Sequence, residues 1–295
     1  MSERKLRFAL FGNIYQSRKS AATQKVLSWA SVYGAELYVD EEYYRFLTEE
    51  QQIEVSATRV LKENEEMDAD FVISMGGDGT FLKAAARVGS KGIPILGVNM
   101  GRLGFLADVN PEDIEGTLRA LHEGRYEVES RAVIEITRRE ESERGVWYAL
   151  NDIAILKRDT ASMISIRATV NGQLLNIYQA DGLIISTPTG STAYSLSNGG
   201  PIIVPGTNVL AMTPVASHSL NTRPIVLPDT AVVELDVESR SHNFLIAVDG
   251  RSMTCQEGMK LEVRRAPYNI KVVKRPGQRY FNTLREKMMW GADAR

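Results

Sequence analysis

Asp78 stands within a run of glycines, Gly76-Gly77-Asp78-Gly79-Thr80, that follows an apolar stretch and opens a helical one. Glycines at such a turn permit positive φ and a close approach of backbone to ligand. The first N–H groups of the helix, with its dipole, favour an anion there, and in open α/β sheets ligands gather at the carboxyl ends of strands. Yet the turn carries an anion of its own, and two like unit charges about 4 Å apart repel by roughly 4 kcal/mol at an effective dielectric of 20. Two roles reconcile the carboxylate with a nearby phosphate. It orients Mg²⁺, whose charge offsets that of the phosphates, or it accepts the proton of a hydroxyl that attacks phosphorus. Both are phosphoryl transfer to an alcohol. No lysine follows at Walker spacing. An isolated Gly-Asp-Gly is also ordinary turn chemistry, with the Asp capping the next helix; the longer MGGDGT at a strand–helix junction favours the functional reading.

A second constellation spans residues 178–205, YQADGLIISTPTGSTAYSLSNGGPIIVP. Asp181 precedes an apolar strand, a hydroxyl- and glycine-rich turn runs from Ser186 to Thr192, and a short helical segment stops at Gly199-Gly200-Pro201. That density of hydroxyls and exposed backbone suits bases, riboses or phosphates, although Ser and Thr are also turn and cap residues. Asn151-Asp152 fall inside an apolar strand, where an unpaired polar couple is costly unless a turn or bulge satisfies it. Asn99, Gly101, Gly104 and Phe105 follow another strand on the ligand side. Asp249 reads first as a hairpin turn. His218 is a weak site candidate, and His122 and His242 read as surface residues.

These residues need a frame. The first part alternates strands (LRFALFGNI, AELYVD, ADFVISM, IPILGVN) with helices over residues 21–34, 48–66 and 80–89, and over the NPEDIEGTLRALHEG stretch. Val26, Ala30 and Tyr33 share one face of the first helix, Thr48 is the expected cap of the second, and Asn110 with Pro111 opens the last. Near-continuous apolar strands between helices predict a parallel sheet covered on both faces, an α/β domain over residues 1–125. From Tyr126 strands and turn signals dominate (ESERG, VNGQ, LPDT, VDG, QEG), predicting a mainly antiparallel domain over 126–277, a sandwich or a layered β domain. A last helix, about 278–295, is a candidate to pack back on the first domain.

The 295 residues suffice for two domains. Hydrophobic residues at 43% and charged ones at 24% fit a globular protein, and a net charge of −2 gives no electrostatic reason to expect nucleic acid. The single cysteine, Cys255, excludes an intrachain disulfide and reads as an inert thiol in a reducing compartment. With no signal peptide pattern and no apolar run of membrane-spanning length, the expected location is the cytosol.

The blocks GGDGT, LNDIAI, DGLIISTPTGSTAYSLSNGGPI, SHSLNTRPIVLP and AVDG, in this order and spacing, resemble the bacterial NAD kinases, from about Leu6 to the C-terminal helix. GGDGT alone is shared with diacylglycerol and sphingosine kinases, and a similar motif occurs in 6-phosphofructokinase; the TPTGSTAYSLSNGGPI block is more particular. The resemblance implies ATP- and Mg²⁺-dependent phosphorylation of the 2′-hydroxyl of the adenosine ribose of NAD. It implies Asp78 as general base, with Gly79 giving backbone contacts. Asn151 and Asp152 match an Asn–acid pair that binds NAD, here Asp rather than the frequent Glu. Asp181 matches an acid that holds the dinucleotide. Thr189, Thr192, Ala193, Tyr194 and Ser197 match the segment around the adenine and its ribose, Phe105 an aromatic near the pocket, and Asp249 an acid at its far edge, where Gly250 replaces a histidine or other residue of some relatives. The fold the resemblance implies is a Rossmann-like N-terminal α/β domain plus an unusual, mainly antiparallel two-sheet β domain, and homodimers or homotetramers are usual in the family. The alternatives are a lipid kinase sharing the glycine turn and a non-catalytic dinucleotide-binding regulator.

Overall fold

A computed structural model describes residues 5–15, 21–63, 65–101, 104–139, 145–159, 162–274, 277 and 280–290. The chain forms two compact units, Met1–Ser130 with Ile270–Arg295, and Arg131–Asn269.

The first unit follows strand–helix alternation: β1 (Arg7–Gly12), α1 (Ala21–Val32), β2 (Glu36–Asp40), α2 (Glu41–Arg45), β3 (Arg59–Leu61), β4 (Phe71–Gly76), α3 (Asp78–Val88), β5 (Ile95–Asn99) and α4 (Ile114–His122). The strands lie parallel in the order β5-β4-β1-β2-β3. All six residues of β4 and all five of β5 are buried, as continuous apolar runs require when both sheet faces are covered. Phe8, Leu10, Val39, Ile73, Leu96 and Val98 share one core with Val26, Trp29 and Ala30 of α1 and Ile114 and Leu118 of α4. Tyr33 lies just past α1, partly exposed, its ring stacked 4.5 Å from Trp29.

The helix expected over residues 48–66 is absent among its described residues. The chain instead turns directly off β2 into α2, where the Asp40 side chain accepts from Tyr43 N–H and Glu41 and Glu42 fill the first turn. A π-helical turn over Phe46–Glu50 ends the helix, and Arg59–Leu61 then pairs with β2 as an edge strand. Thr48 caps nothing; its hydroxyl donates back to the Tyr44 carbonyl from within the π turn. Ile53 is buried in the core of this unit and Val55 and Ala57 pack against it from an irregular segment, while the β-branched Ile53, Val55 and Val60 lower its helix propensity.

The second unit is antiparallel. Its elements are β6 (Glu127–Arg139), which begins at the end of the first unit, β7 (Val146–Ala149), β8 (Asp152–Lys157), β9 (Ile164–Val170), β10 (Gln173–Ala180), β11 (Gly182–Ser186), α5 (Tyr194–Ser197), β12 (Val209–Val215), β13 (Ile225–Pro228), β14 (Val233–Ser239), β15 (Asn243–Val248), β16 (Arg251–Gln256) and β17 (Lys260–Lys274). One sheet runs β13-β12-β11-β8-β15-β16; β10, β9, β14 and the first half of β17 pair in a second. Alternation in β14 is complete, buried at Val233, Leu235 and Val237 and exposed between them. Those residues meet Ile153, Ile155, Leu183 and Ile185 of the other sheet in one core that also holds Cys255. The VNGQ and VDG turns are tight hairpins with Asn171-Gly172 and Asp249-Gly250 at positive φ; the ESERG turn falls mostly outside the described residues. From Ile270 the chain returns to the first unit: Val272 pairs with Ile95 of β5, Val273 joins its core, and α6 (Tyr280–Met288) follows.

Candidate functional site

Asp78 is the first residue of α3, and Gly77 stands at the cap position without a side-chain bond. The carboxylate does not cap its own helix. It reaches across to the loop after β5, where Oδ1 accepts the N–H groups of Leu106 (3.0 Å) and Ala107 (3.1 Å) and Oδ2 accepts that of Phe105 (3.0 Å). Carboxylates accept such charge-assisted bonds strongly. Oδ2, with one backbone donor, keeps lone-pair capacity for a further partner. Around the turn, none of Gly76, Gly77 and Gly79 uses positive φ; Gly77 is extended at φ −102°. Glycine is needed at Gly76 for space, since a β-carbon there would stand 2.2 Å from Thr80 Oγ1.

On the other side of the α3 N-terminus lies a cavity of about 420 Å³ bordered by Gly12 and Asn13 at the end of β1, Gly77, Gly79 and Thr80 of the turn, and Lys83. The Lys83 ammonium contacts Asp40 (3.1 Å) and Glu42 (2.5 Å). Burial acts to lower its pKa, but these two carboxylates outweigh burial and raise it.

In the second unit, Asn151 and Asp152 lie where β7 gives way to β8 rather than inside one strand. Asp249, in the left-handed turn after β15, folds its carboxylate back onto this junction: Oδ2 accepts from Leu150 N–H (2.8 Å), and Oδ1 from Asn151 (2.8 Å) and Asp152 (3.2 Å). The Ser186–Thr192 turn closes over the same backbone. Thr187 N–H donates to the Asn151 carbonyl (2.9 Å), its hydroxyl to the Leu150 carbonyl (2.6 Å), and Gly190 N–H to that hydroxyl (3.1 Å). Asn151 is buried and its side-chain Oδ1 has no hydrogen-bond partner, an acceptor left for a ligand. Asp152 is 6% exposed. Its pKa is pushed up to about 7, chiefly by burial and then by the Asp249 charge, against a bond from Tyr194 N–H. Burial raises Asp249 too, but its three N–H donors oppose the rise, so Asp249 is the partner that holds the charge.

Thr189, Thr192, Ala193, Tyr194 and Ser197 therefore share one end of the six-stranded sheet with Asn151, Asp152 and Asp249. Thr189 is buried, within 3.4 Å of Arg131 Nη1, while Tyr194 and Ser197 are exposed. Ser195, buried, bonds Thr213 instead (2.9 Å). Asp181 does not join them. It precedes β11, whose far end (Ser186) pairs with Asp152, which puts it roughly 16 Å away at about 3.3 Å per residue; there it pairs with Lys157 at 2.7 Å. His218, His122 and His242 are exposed, and Cys255 is buried.

Three participants were not anticipated: the Phe105–Ala107 amides, Thr187 and Lys287. Backbone amides leave no residue-type signal. Thr187 and Gly190 lie within the block already singled out, and Lys287 lies on α6 with no motif around it. Among the described residues no cluster of His, Cys, Asp or Glu forms a cation cage. Asp78 holds three N–H donors and has the Lys287 ammonium 4.0 Å from its Oδ2.

Comparison with known proteins bears on the chemistry. The model of the ATP-NAD kinase N-terminal domain matches residues 8–126 and that of the C-terminal domain residues 150–275. A Bacteroides fragilis protein named NAD kinase is 58% identical over 290 residues, covering 98% of this chain and all of that one. One from Porphyromonas gingivalis is 41% identical over 289 residues, 98% of this chain and 99% of its own. Among solved structures, yeast NADH kinase complexed with NADH superposes with a TM-score of 0.88 at 21% identity, covering all of this chain and 90% of that one. An Archaeoglobus fulgidus NAD kinase in complex with ATP gives 0.74 at 24%, covering 96% and 99%. At those identities the two structures speak for the fold. Among the described residues, no helix is long and apolar enough to cross a membrane.

Proposed function

Because the chain belongs to the ATP-NAD kinase family, we propose that it transfers the γ-phosphoryl group of ATP to the 2′-hydroxyl of the adenosine ribose of NAD, forming NADP, with Asp78 as general base. The observation that carries the base assignment is the Asp78 carboxylate itself, fixed by three backbone amides with Oδ2 the less occupied oxygen. A fixed acceptor takes the proton of the attacking hydroxyl as its new bond to the γ-phosphorus forms and the bond from that phosphorus to the β–γ bridging oxygen breaks, releasing ADP.

Gly79 contributes backbone to the acceptor, and the cavity beside it offers the donor phosphates amide groups of α3 and the Lys83 ammonium. In the second unit Asn151 presents its unpartnered Oδ1, and Asp152 with Thr189, Thr192, Ala193, Tyr194 and Ser197 recognises the dinucleotide. Phe105 and Asp249 belong to the binding set, and Asp181, paired with Lys157 at the opposite end of β11, is assigned a distal part of the dinucleotide. Among the described residues no cluster of His, Cys, Asp or Glu would hold Mg²⁺, and the offset it would supply to the phosphate charge would come together with the nucleotide. A cytosolic homodimer or homotetramer belongs to the same proposal.

The purified chain given NAD, ATP and Mg²⁺ should yield NADP, detected with an NADP-specific dehydrogenase. Dinucleotide binding without NADP would overturn the kinase reading in favour of a binding module.

A further inference from the structure

We propose that Lys287 is a positioning residue for Asp78, so that the C-terminal helix supplies the last element of the base's cradle. This rests on the assignment of Asp78 as base. Three contacts support it, all within one unit. The Lys287 ammonium stands 4.0 Å from Asp78 Oδ2, the oxygen with a single backbone donor. The same ammonium lies 4.8 Å from the centre of the Phe105 ring, within the range of a cation–π contact. Tyr280, one end of the same helix, sets its ring 6.3 Å from that of Phe105. Phe105 is therefore held from two points of α6, and its own N–H binds Oδ2.

Oδ1 is fixed by two amides, whereas Oδ2 has only the Phe105 amide and the charge of Lys287. The lysine acts on the reactive oxygen twice, by direct attraction and through the loop that carries Phe105. Both side chains are about one third exposed, so a surface ion pair alone would contribute little to stability. Its value lies in orientation: misplacing a reacting group by about 1 Å costs roughly 100-fold in rate.

The test uses the full chain and steady-state kinetics. Lys287→Met keeps an unbranched stem against Phe105 and removes the charge; Lys287→Gln removes it in a second way; Lys287→Arg retains it. The charge-deleting variants should lose roughly 10- to 100-fold in kcat with KM for NAD and the melting temperature little changed, and Lys287→Arg should recover most of the rate. In an Asp78→Asn background the same changes should have no further effect on the residual rate, because Lys287 acts through Asp78. Normal kcat in both charge-deleting variants, an arginine variant as slow as they are, or an undiminished effect in the Asp78→Asn background would each overturn the proposal. Fast turnover by Asp78→Asn alone would overturn the base assignment itself, a result separate from any obtained with Lys287.

Discussion

Gly104 and Asp78 are in contact so close that no other residue type fits between them: a β-carbon on Gly104 would lie 2.1 Å from Asp78 Oδ1 and 3.1 Å from the Ala107 carbonyl oxygen. Gly104→Ala must therefore push the carboxylate out of its amide cradle or open the loop. The expected outcome is a fall in kcat of roughly 100-fold, the size a displacement of about 1 Å produces, with NAD affinity retained. Titration calorimetry beside steady-state rates checks it; unchanged turnover would separate the cradle from catalysis.

Asp78→Asn retains the shape of the side chain and one acceptor oxygen but cannot take up a proton. Turnover should fall by roughly 10² to 10⁴-fold, the contribution of a general base, while NAD still binds. Near-normal turnover would mean that Asp78 only shapes the turn.

Gly190 packs against the backbone of Asn151, with a β-carbon placed 2.0 Å from its carbonyl oxygen. Because the obstacle is main chain, Gly190→Ala should displace the whole 187–190 turn and lower stability by roughly 1–3 kcal/mol, as overpacking does, together with a weaker Kd for NAD. A thermal melt and a binding isotherm measure the two. A variant with wild-type values in both would show that the turn yields freely.

Asp152 makes stability depend on pH in the direction opposite to an ion-paired acid. Its pKa rises from 3.8 to about 7 on folding, so between those values the folded state binds the extra proton. Stability of the ligand-free protein should accordingly be greatest below about pH 4 for this group and decline as pH rises through about 7, by at most about 4 kcal/mol at 1.4 kcal/mol per unit. Asp152→Asn removes the titration, so its melting temperature should exceed the wild type at pH 8 and the gap should narrow toward pH 5. A gap independent of pH would show that Asp152 is charged throughout.

What could be read from the sequence follows from where the information resides. β4 and β5 are buried throughout and apolar but for Ser74 and the terminal Asn99, so their existence and their parallel setting were legible. The stretch after β2 was not. Its acidic, glutamine-rich composition suits a helix, but the helix forms earlier, where Asp40, Glu41 and Glu42 mark a capped start that the sequence displays. At the candidate site the residue types were readable and their partners were not. Asp78 stood out as an acid among glycines, yet what holds it is backbone 27 to 29 positions away. Asn151 and Asp152 stood out as a polar couple in apolar surroundings, but what satisfies their backbone is not local: it is the Asp249 turn, almost 100 positions later. Such pairings depend on loop geometry, to which side-chain pattern is blind.

The return of the chain to its first unit has a consequence for the order of assembly. Among the described residues, the outer edge of β5 is met by Val109 and, from beyond the entire second unit, by Val272, and Asp78 has its ammonium from Lys287, also beyond that unit. Contacts of that sequence separation are slow to form, and on the ribosome N-terminal segments emerge first. The turn that carries Asp78 is thus synthesised early and completed last: a nascent chain can display the glycines and the acid long before it can align them. Competence arrives with the final helix.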